Sequence, residues 1–328
     1  MKKITAIKKK TKEESRKVYA DLYGDVGKFI SMKLKFRGVH SLIVNMVEAD
    51  LKGKNALDIG CGFGRLSFLA SRYAAHIDAI DMMEEPIRVA RAMRETLGIK
   101  NVEFMVRDAE KDRKSLGRYD FIFLSGVIEH MIEVDGSFRN IERLLKKGGS
   151  LVVNCPSFYN PRGDIYTAFL KLFDYPMSLT DVRQADLPYM RRLADKFRYD
   201  ISKTIGVFYS FSWSDGFAKD MKTRMVNVFR DVNIRIKPAR RAAFEHWLDQ
   251  RGEVGRSLLD HLYQKGLIKK IRPYSWFKVD RDTLSRYGLP LENVLAYLRD
   301  DPSDDPYYCD VHPFNLMGGE TVYILRKR

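Results

Sequence analysis

The sequence predicts an α/β protein, a doubly wound Rossmann-like sheet with a mostly helical insertion before its last strand. Three observations predict it. Short apolar runs alternate with helix-period segments from Lys54 to Asn154, and a glycine-rich turn follows the first of these runs. After Asn154 the rhythm gives way to a long stretch without it, and the chain ends on the alternating segment ETVYILRKR.

The first unit is NALDIGCGFGRLSFLASRYAAHIDAIDMMEE, in which an apolar run ends at Asp58 and a glycine turn leads into Leu66, Leu69, Ala70 and Tyr73 at helical spacing. A second strand, His76 to Ile80, ends at Asp81; the next helix opens with Pro86 near its first position and closes before Gly98. Val102, Phe104 and Val106 alternate in a third strand that ends at Asp108. Tyr119 to Leu124 is apolar but for Asp120 near its start, as expected of a parallel strand covered on both faces. A helix carrying Phe138, Ile141, Leu144 and Leu145 is expected to stop at Gly148-Gly149, with SLVVN as the fifth strand.

Residues 155–187 carry Pro, Gly and aromatic residues without a period and read as an active-site loop region. From Pro188, PYMRRLADKFRYDISKTIG reads as a helix feeding a strand. Residues 207–315 hold Trp213, Trp247 and Trp276 and helical stretches such as PARRAAFEHWLDQRG, enough for a small core of their own. The expected organisation is a basic N-terminal helical arm (1–40), a core (41–206 plus 316–328) and a helical insertion (207–315) that caps the substrate. Dimerisation through the insertion is the competing expectation.

At 328 residues, with 45% hydrophobic and 31% charged side chains, the chain can bury a full core, which excludes disorder, collagen and coiled coil. No run reaches the roughly 18 apolar residues of a membrane-spanning helix, and MKKITAIKKKTKEE lacks the apolar stretch of a secretory signal, so a cytoplasmic location is expected. Cys61, Cys155 and Cys309 lie far apart, which argues against a disulfide framework or a structural zinc site. The net charge of +15 is unevenly spread: residues 1–40 hold 12 basic against 4 acidic side chains, and residues 207–315 hold 18 against 15. The insertion is thus no dedicated phosphate-binding surface. The basic arm reads as a solvated tail, with RNA or membrane-surface contact as its alternative.

Gly60, Gly62 and Gly64 form G-x-G-x-G directly after Asp58, letting the backbone approach a ligand at the switch point of the sheet. Asp81 and Asp108 at the ends of the next two strands add specificity, since one carboxylate can accept from both hydroxyls of a ribose and the other from an adenine amino group. The ligand should contain adenosine. A dinucleotide fingerprint would need glycine where Arg65 stands, and no phosphate-loop motif is present in this region.

These segments resemble class I S-adenosylmethionine-dependent methyltransferases, particularly the small-molecule branch that includes the ubiquinone-biosynthesis enzymes. ALDIGCGFG resembles their first motif, IDAIDMMEE the second, VRDAE the third, and FIFLSGVIEHM with LLKKGGSLVVNCPS the strand–helix–strand that ends the shared core. The resemblance implies a seven-stranded sheet with the last strand antiparallel, and S-adenosylmethionine as cofactor. It places Asp58, Gly60, Gly62, Gly64 and Ser125 around the methionine part, Asp81 at the ribose, and Met82, Asp108 and Ala109 at the adenine. Plain packing is the other reading of Met82 and Ala109.

Methyl transfer needs alignment, exclusion of water and, for a hydroxyl acceptor, removal of a proton. Glu129-His130 lies where the family faces the methyl group, making His130 the candidate base; a histidine that only bonds nearby backbone is the alternative. Gly126 stands where some relatives carry a further acidic residue for a metal, so no metal is expected. Tyr159, Arg162, Asp164 and Asp181, and Tyr307, Tyr308, Asp310 and His312, are candidates for the acceptor pocket, with Tyr159, Arg162 and His312 foremost. SGVIEH replaces the Asn-Pro-Pro-aromatic motif of base methylation, and Cys155-Pro156 reverses the nucleophile motif of cytosine methylation. The expected partner is therefore a small molecule, a sugar, lipid or secondary metabolite methylated on oxygen, rather than nucleic acid. RNA or protein recruited by the basic arm is the alternative.

Overall fold

The computed structural model describes residues 38–110, 116–173, 181–231, 233–267, 269–270, 310–312 and 317–328, with Lys17 and Asp282 taken singly. The expected arm thus lies almost wholly outside the described residues, and so do Cys309, Tyr307, Tyr308 and Trp276. In chain order the elements are α1 (Gly38–Leu51), β1 (Asn55–Ile59), α2 (Arg65–Ala70), β2 (His76–Asp81), α3 (Glu84–Thr96) and β3 (Val102–Val106). Then come β4 (Tyr119–Ser125), α4 (Val134–Leu144), β5 (Leu145–Pro156), α5 (Pro161–Phe173), α6 (Leu187–Lys196) and β6 (Tyr199–Val207). The last are α7 (Tyr209–Trp213), α8 (Asp215–Asp231), α9 (Pro238–Gln264), β7 (Lys269–Lys270), β8 (Asp310–His312) and β9 (Glu320–Lys327).

The strands form one sheet in the order β3-β2-β1-β4-β5-β9-β6-β8-β7. β1 to β5 pair in parallel, while β9 lies antiparallel between β5 and β6. This is the expected seven-stranded sheet; β8 and β7 extend its edge in antiparallel pairing. Alternation along the strands sends side chains to two cores. Ala56, Phe121, Phe123 and Val152 pack under α1, α2 and α3, whereas Leu57, Ile59, Ile122, Leu151 and Val153 pack under α4 and α6. Both faces are covered, which is why β4 carries no polar alternation. Among the described residues no helix is long and apolar enough to cross a membrane.

Two local expectations are corrected. The helix before β5 ends at Leu144, and Gly148-Gly149 belongs to the strand, where the β4–β5 register shifts between Tyr119 and Phe121. Gly148 has φ +71°, so the pair forms an irregularity that brings backbone close rather than a helix stop. Within the supposed loop region 155–187, residues Pro161–Phe173 form α5. Its period is hidden because the helix buries Arg162 and Gly163 beside Tyr166 and leaves Leu172 68% exposed.

α5 packs with the addition, not with the sheet. Phe158 and Tyr166 join Phe217, Ala218, Met221 and Leu248 in one cluster, and Tyr209 and Leu259 form another with Trp213. Trp247 lies outside these clusters, being 43% exposed and stacked on Phe244. Close approach of α9 to α7 uses Gly255, where a Cβ would lie 1.8 Å from the Trp213 carbonyl oxygen.

Candidate functional site

The glycine turn after β1 is pinned to β2 by the N–H groups of Gly60 and Cys61, which donate to the Ile80 carbonyl at 2.7 and 3.0 Å. The three glycines do different work. A Cβ on Gly60 would sit 2.5 Å from a Val127 methyl, and one on Gly64 2.4 Å from the Phe104 ring, so these two permit close packing. Gly62, at φ +52°, has nothing within 4 Å of where a Cβ would be, and its N–H donates to Asp81 Oδ2 at 3.0 Å. The other Asp81 oxygen, Oδ1, accepts from Met83 N–H at 2.9 Å. Two backbone donors therefore orient a carboxylate at the end of β2, beside the open side of the turn.

Asp58, the residue before the last of β1, lies below this turn, is 2% exposed, and accepts from Ser67 Oγ at 2.6 Å. Burial pushes its carboxyl up to about 7, with neighbouring Asp81 adding to the rise and the Ser67 hydroxyl opposing it. Asp108 lies two residues beyond the end of β3, where Oδ1 accepts from Glu110 N–H at 3.0 Å. Met82 and Ala109 are half-buried, and the Ala109 carbonyl accepts from Asn140 at 3.4 Å. Strand order alone brings these residues and Ser125 to one edge: β1 lies between β2 and β4, and β3 flanks β2.

Beside Ser125 the structure places a polar row that the sequence reading missed. His40 Nε2 of α1 is 3.1 Å from Ser125 Oγ, and Asn154 stands in register with Ser125. Asn154 Nδ2 donates to Glu320 Oε2 at 2.7 Å, while its buried Oδ1 has no hydrogen-bond partner among the described residues. The one available signal was Asn154 itself, a polar residue ending an apolar strand. Nothing local in the sequence ties it to His40 or Glu320.

His130 follows β4 on the loop before α4. Its Nδ1 lies 3.2 Å from Asp181 Oδ1 and its Nε2 3.8 Å from Glu129 Oε1. Tyr159 is 39% exposed, with burial and nearby Asp186 raising its phenol above the usual range. Arg162 is buried in the addition instead, its Nε donating to Asp220 Oδ2 at 2.8 Å and its guanidinium over the Tyr166 ring. Arg224 Nε donates to the other Asp220 oxygen at 2.9 Å. Although burial opposes it, these two cations hold the Asp220 carboxyl below the usual range. Asp164 is exposed, and His312 lies on β8 in register with Gly206. Cys61 and Cys155 are free thiols that burial holds well above the usual range. Among the described residues no group of three or more His, Cys, Asp or Glu side chains could hold a metal ion.

Residues 50–204 match the family model described as a methyltransferase domain. The ubiquinone biosynthesis O-methyltransferase of Coxiella burnetii (strain Dugway 5J108-111) is 35% identical over 101 residues, 31% of this chain and 43% of that one. The Pseudomonas aeruginosa (strain UCBPP-PA14) protein of the same name is 33% identical over 119 residues, 35% of this chain and 51% of that one. The chain thus spans about half the length of the curated relatives it matches. Among solved structures, the YcgJ protein from Bacillus subtilis is 16% identical with a TM-score of 0.47, covering 88% of this chain and 97% of that one.

Proposed function

We propose that this chain, which carries a class I S-adenosylmethionine-dependent methyltransferase domain over residues 50–204, transfers the donor's methyl group to an oxygen of a small molecule. The observation that supports it most is the Gly62–Asp81 pair: an uncrowded glycine beside a carboxylate already aimed by two backbone N–H groups. A carboxylate oxygen has more than one acceptor site, so Asp81 suits the two hydroxyls of a ribose. Asp58, Gly60, Gly62, Gly64 and Ser125 are read as the surroundings of the donor's methionine part. Asp108, with Met82 and Ala109, is read as the adenine side.

When bound, the donor supplies a methyl group already activated by a sulfonium. The protein's task is alignment, exclusion of water and removal of the acceptor's proton. His130 is read as the base, since a neutral imidazole accepts a proton near neutral pH. Glu129 and Asp181, 3.8 and 3.2 Å from its two nitrogens, stabilise the imidazolium that results. Tyr159, half-exposed at the end of β5, is read as lining the acceptor side. Arg162 is read as fastening the insertion, because Asp220 and Tyr166 already engage it. The insertion and α5 together serve as a cap that closes the acceptor side.

Calorimetry with S-adenosylmethionine, followed by detection of S-adenosylhomocysteine release across hydroxylated small molecules, RNA and peptides, tests the proposal. Donor binding with turnover on a hydroxylated small molecule is the expected result. Binding of NAD without S-adenosylmethionine would overturn the domain reading, and turnover on RNA or peptide alone would overturn the acceptor.

A further inference from the structure

Residues 181–186 join α5 to the loop that carries His130. Val182 N–H donates to the Glu129 carbonyl at 2.9 Å, and Arg183 Nη1 and Nη2 donate to the Ile128 and Ile132 carbonyls at 3.3 and 3.4 Å. One short segment thus grips three backbone positions around His130. The segment is itself anchored: Gln184 Nε2 donates to Thr167 Oγ1 of α5 at 3.1 Å, and Asp186 caps α6 by accepting from Tyr189 N–H at 2.9 Å.

Asp181 begins this segment, with its side chain 9% exposed against 24% for the His130 ring. Its Oδ1 approaches Nδ1 at 3.2 Å as an ion-pair contact without hydrogen-bond alignment, while the other carboxylate, Glu129, stands farther off, its Oε1 3.8 Å from Nε2. The charged and titratable groups facing the pair come from each neighbouring element: Glu129 from the ring's own loop, Arg183 from the gripping segment, and Tyr166 of α5 and Arg224 of α8, both within electrostatic reach of Asp181. The nearer carboxylate favours, by its charge, the tautomer with the N–H on the adjacent nitrogen and a lone pair on the other.

We propose that Asp181 is a positioning residue for His130: it keeps the ring proton on Nδ1, so that Nε2 is the nitrogen that takes a proton. The use of that proton rests on the proposed methyl transfer, whereas the tautomer does not. In the transfer, the acceptor's O–H proton passes to Nε2 and the oxygen's electron pair forms the bond to the methyl carbon. The pair of the broken carbon–sulfur bond stays on sulfur, and the imidazolium then releases its proton to solvent.

Nitrogen-15 NMR of histidine-labelled full-length protein with S-adenosylhomocysteine tests this, with the His130 signals assigned by their loss in His130→Gln. The parent should show His130 protonated at Nδ1 in its neutral form. In Asp181→Asn the ring should lose its proton about one pH unit lower, because the charge that favoured imidazolium is gone. The acid limb of kcat/KM should move down by the same amount while S-adenosylhomocysteine affinity stays within threefold. A merely structural Asp181 would move neither. An Nε2–H tautomer in the parent overturns the proposal without any variant, and so does an unshifted titration in a folded Asp181→Asn. Failure of the methyl-transfer reading would look different: no turnover on any acceptor, with the tautomer intact.

Discussion

Replacing Asp58 by Asn should stabilise the ligand-free protein above neutral pH and weaken it as a donor-binding protein. Burial raises the carboxyl from 3.8 to about 7, a rise of about three units. At 1.36 kcal/mol per unit that is about 4 kcal/mol of preference for the neutral acid. The folded-state value is raised, so the folded protein binds the proton more tightly than the unfolded chain. Its stabilising effect is fully present below about pH 4 and is lost progressively as pH rises to about 7. Asn removes the ionisation cost and can still accept from Ser67 Oγ, but it brings an amide N–H pair into a buried site at about 1–3 kcal/mol. The two effects nearly cancel at pH 5. At pH 8 the variant should be more stable by roughly 1–3 kcal/mol, a gap readable by urea unfolding without ligand. Binding should move the other way if Asp58 lies at the donor's methionine side as proposed, since an ionised carboxyl facing its ammonium is then lost. In the parent, affinity for S-adenosylhomocysteine should fall about tenfold from pH 8 to pH 6 as Asp58 takes up its proton; in Asp58→Asn it should be lower and nearly flat. Parallel stability curves for parent and variant between pH 5 and 8 would refute the raised carboxyl. Equal, equally pH-dependent ligand affinities would remove Asp58 from the methionine side.

Asp81→Ala should weaken S-adenosylhomocysteine binding by about 1.5–3 kcal/mol, more than tenfold by calorimetry, because the proposed ribose site would lose two charge-assisted contacts. His130→Gln should lower turnover by about 10² to 10⁴-fold with donor affinity nearly unchanged, and near-parental rates across pH 6 to 9 would pass the role to another residue. Asp220→Asn should destabilise the protein by about 2–4 kcal/mol in urea unfolding, because it leaves Arg162 and Arg224 sharing a buried neutral partner.

What was legible in the sequence was what local physics decides. Each βα unit announces itself within about 25 residues through an apolar run, a turn and a helical period. The glycine turn and the carboxylates near the ends of successive strands are set by the same local frame, and the structure bonds Gly62 to Asp81 and brings Asp58 within electrostatic reach of Asp81. The misreadings fall where a residue's partner is distant in sequence. α5 looked like loop because its packing face holds Arg162, a residue that reads as solvent-facing until Asp220 of α8 is beside it. Gly148-Gly149 looked like a helix stop because nothing nearby reveals the irregular pairing with β4.

The same reasoning explains why the His130 environment could be named but not built from sequence. The ring and Asp181 are 51 positions apart, and the residues that hold Asp181 in place belong to a stretch without period. What joins them is the segment 181–186, whose backbone and Arg183 reach the His130 loop while Gln184 reaches α5. A helical addition joined to the core only through its two chain connections would leave His130 in the same state whatever its own packing. Here α5, which packs with the addition, is bonded through Gln184 to the segment that grips the His130 loop. Loosening it through Asp220→Asn should therefore disturb the His130 titration as well as stability, although Asp220 does not touch the ring. Histidine NMR on that variant separates the cases: a shifted or broadened His130 signal supports coupling through Asp181. A His130 titration identical to the parent's, in a protein destabilised as expected, would show that cap and base are independent.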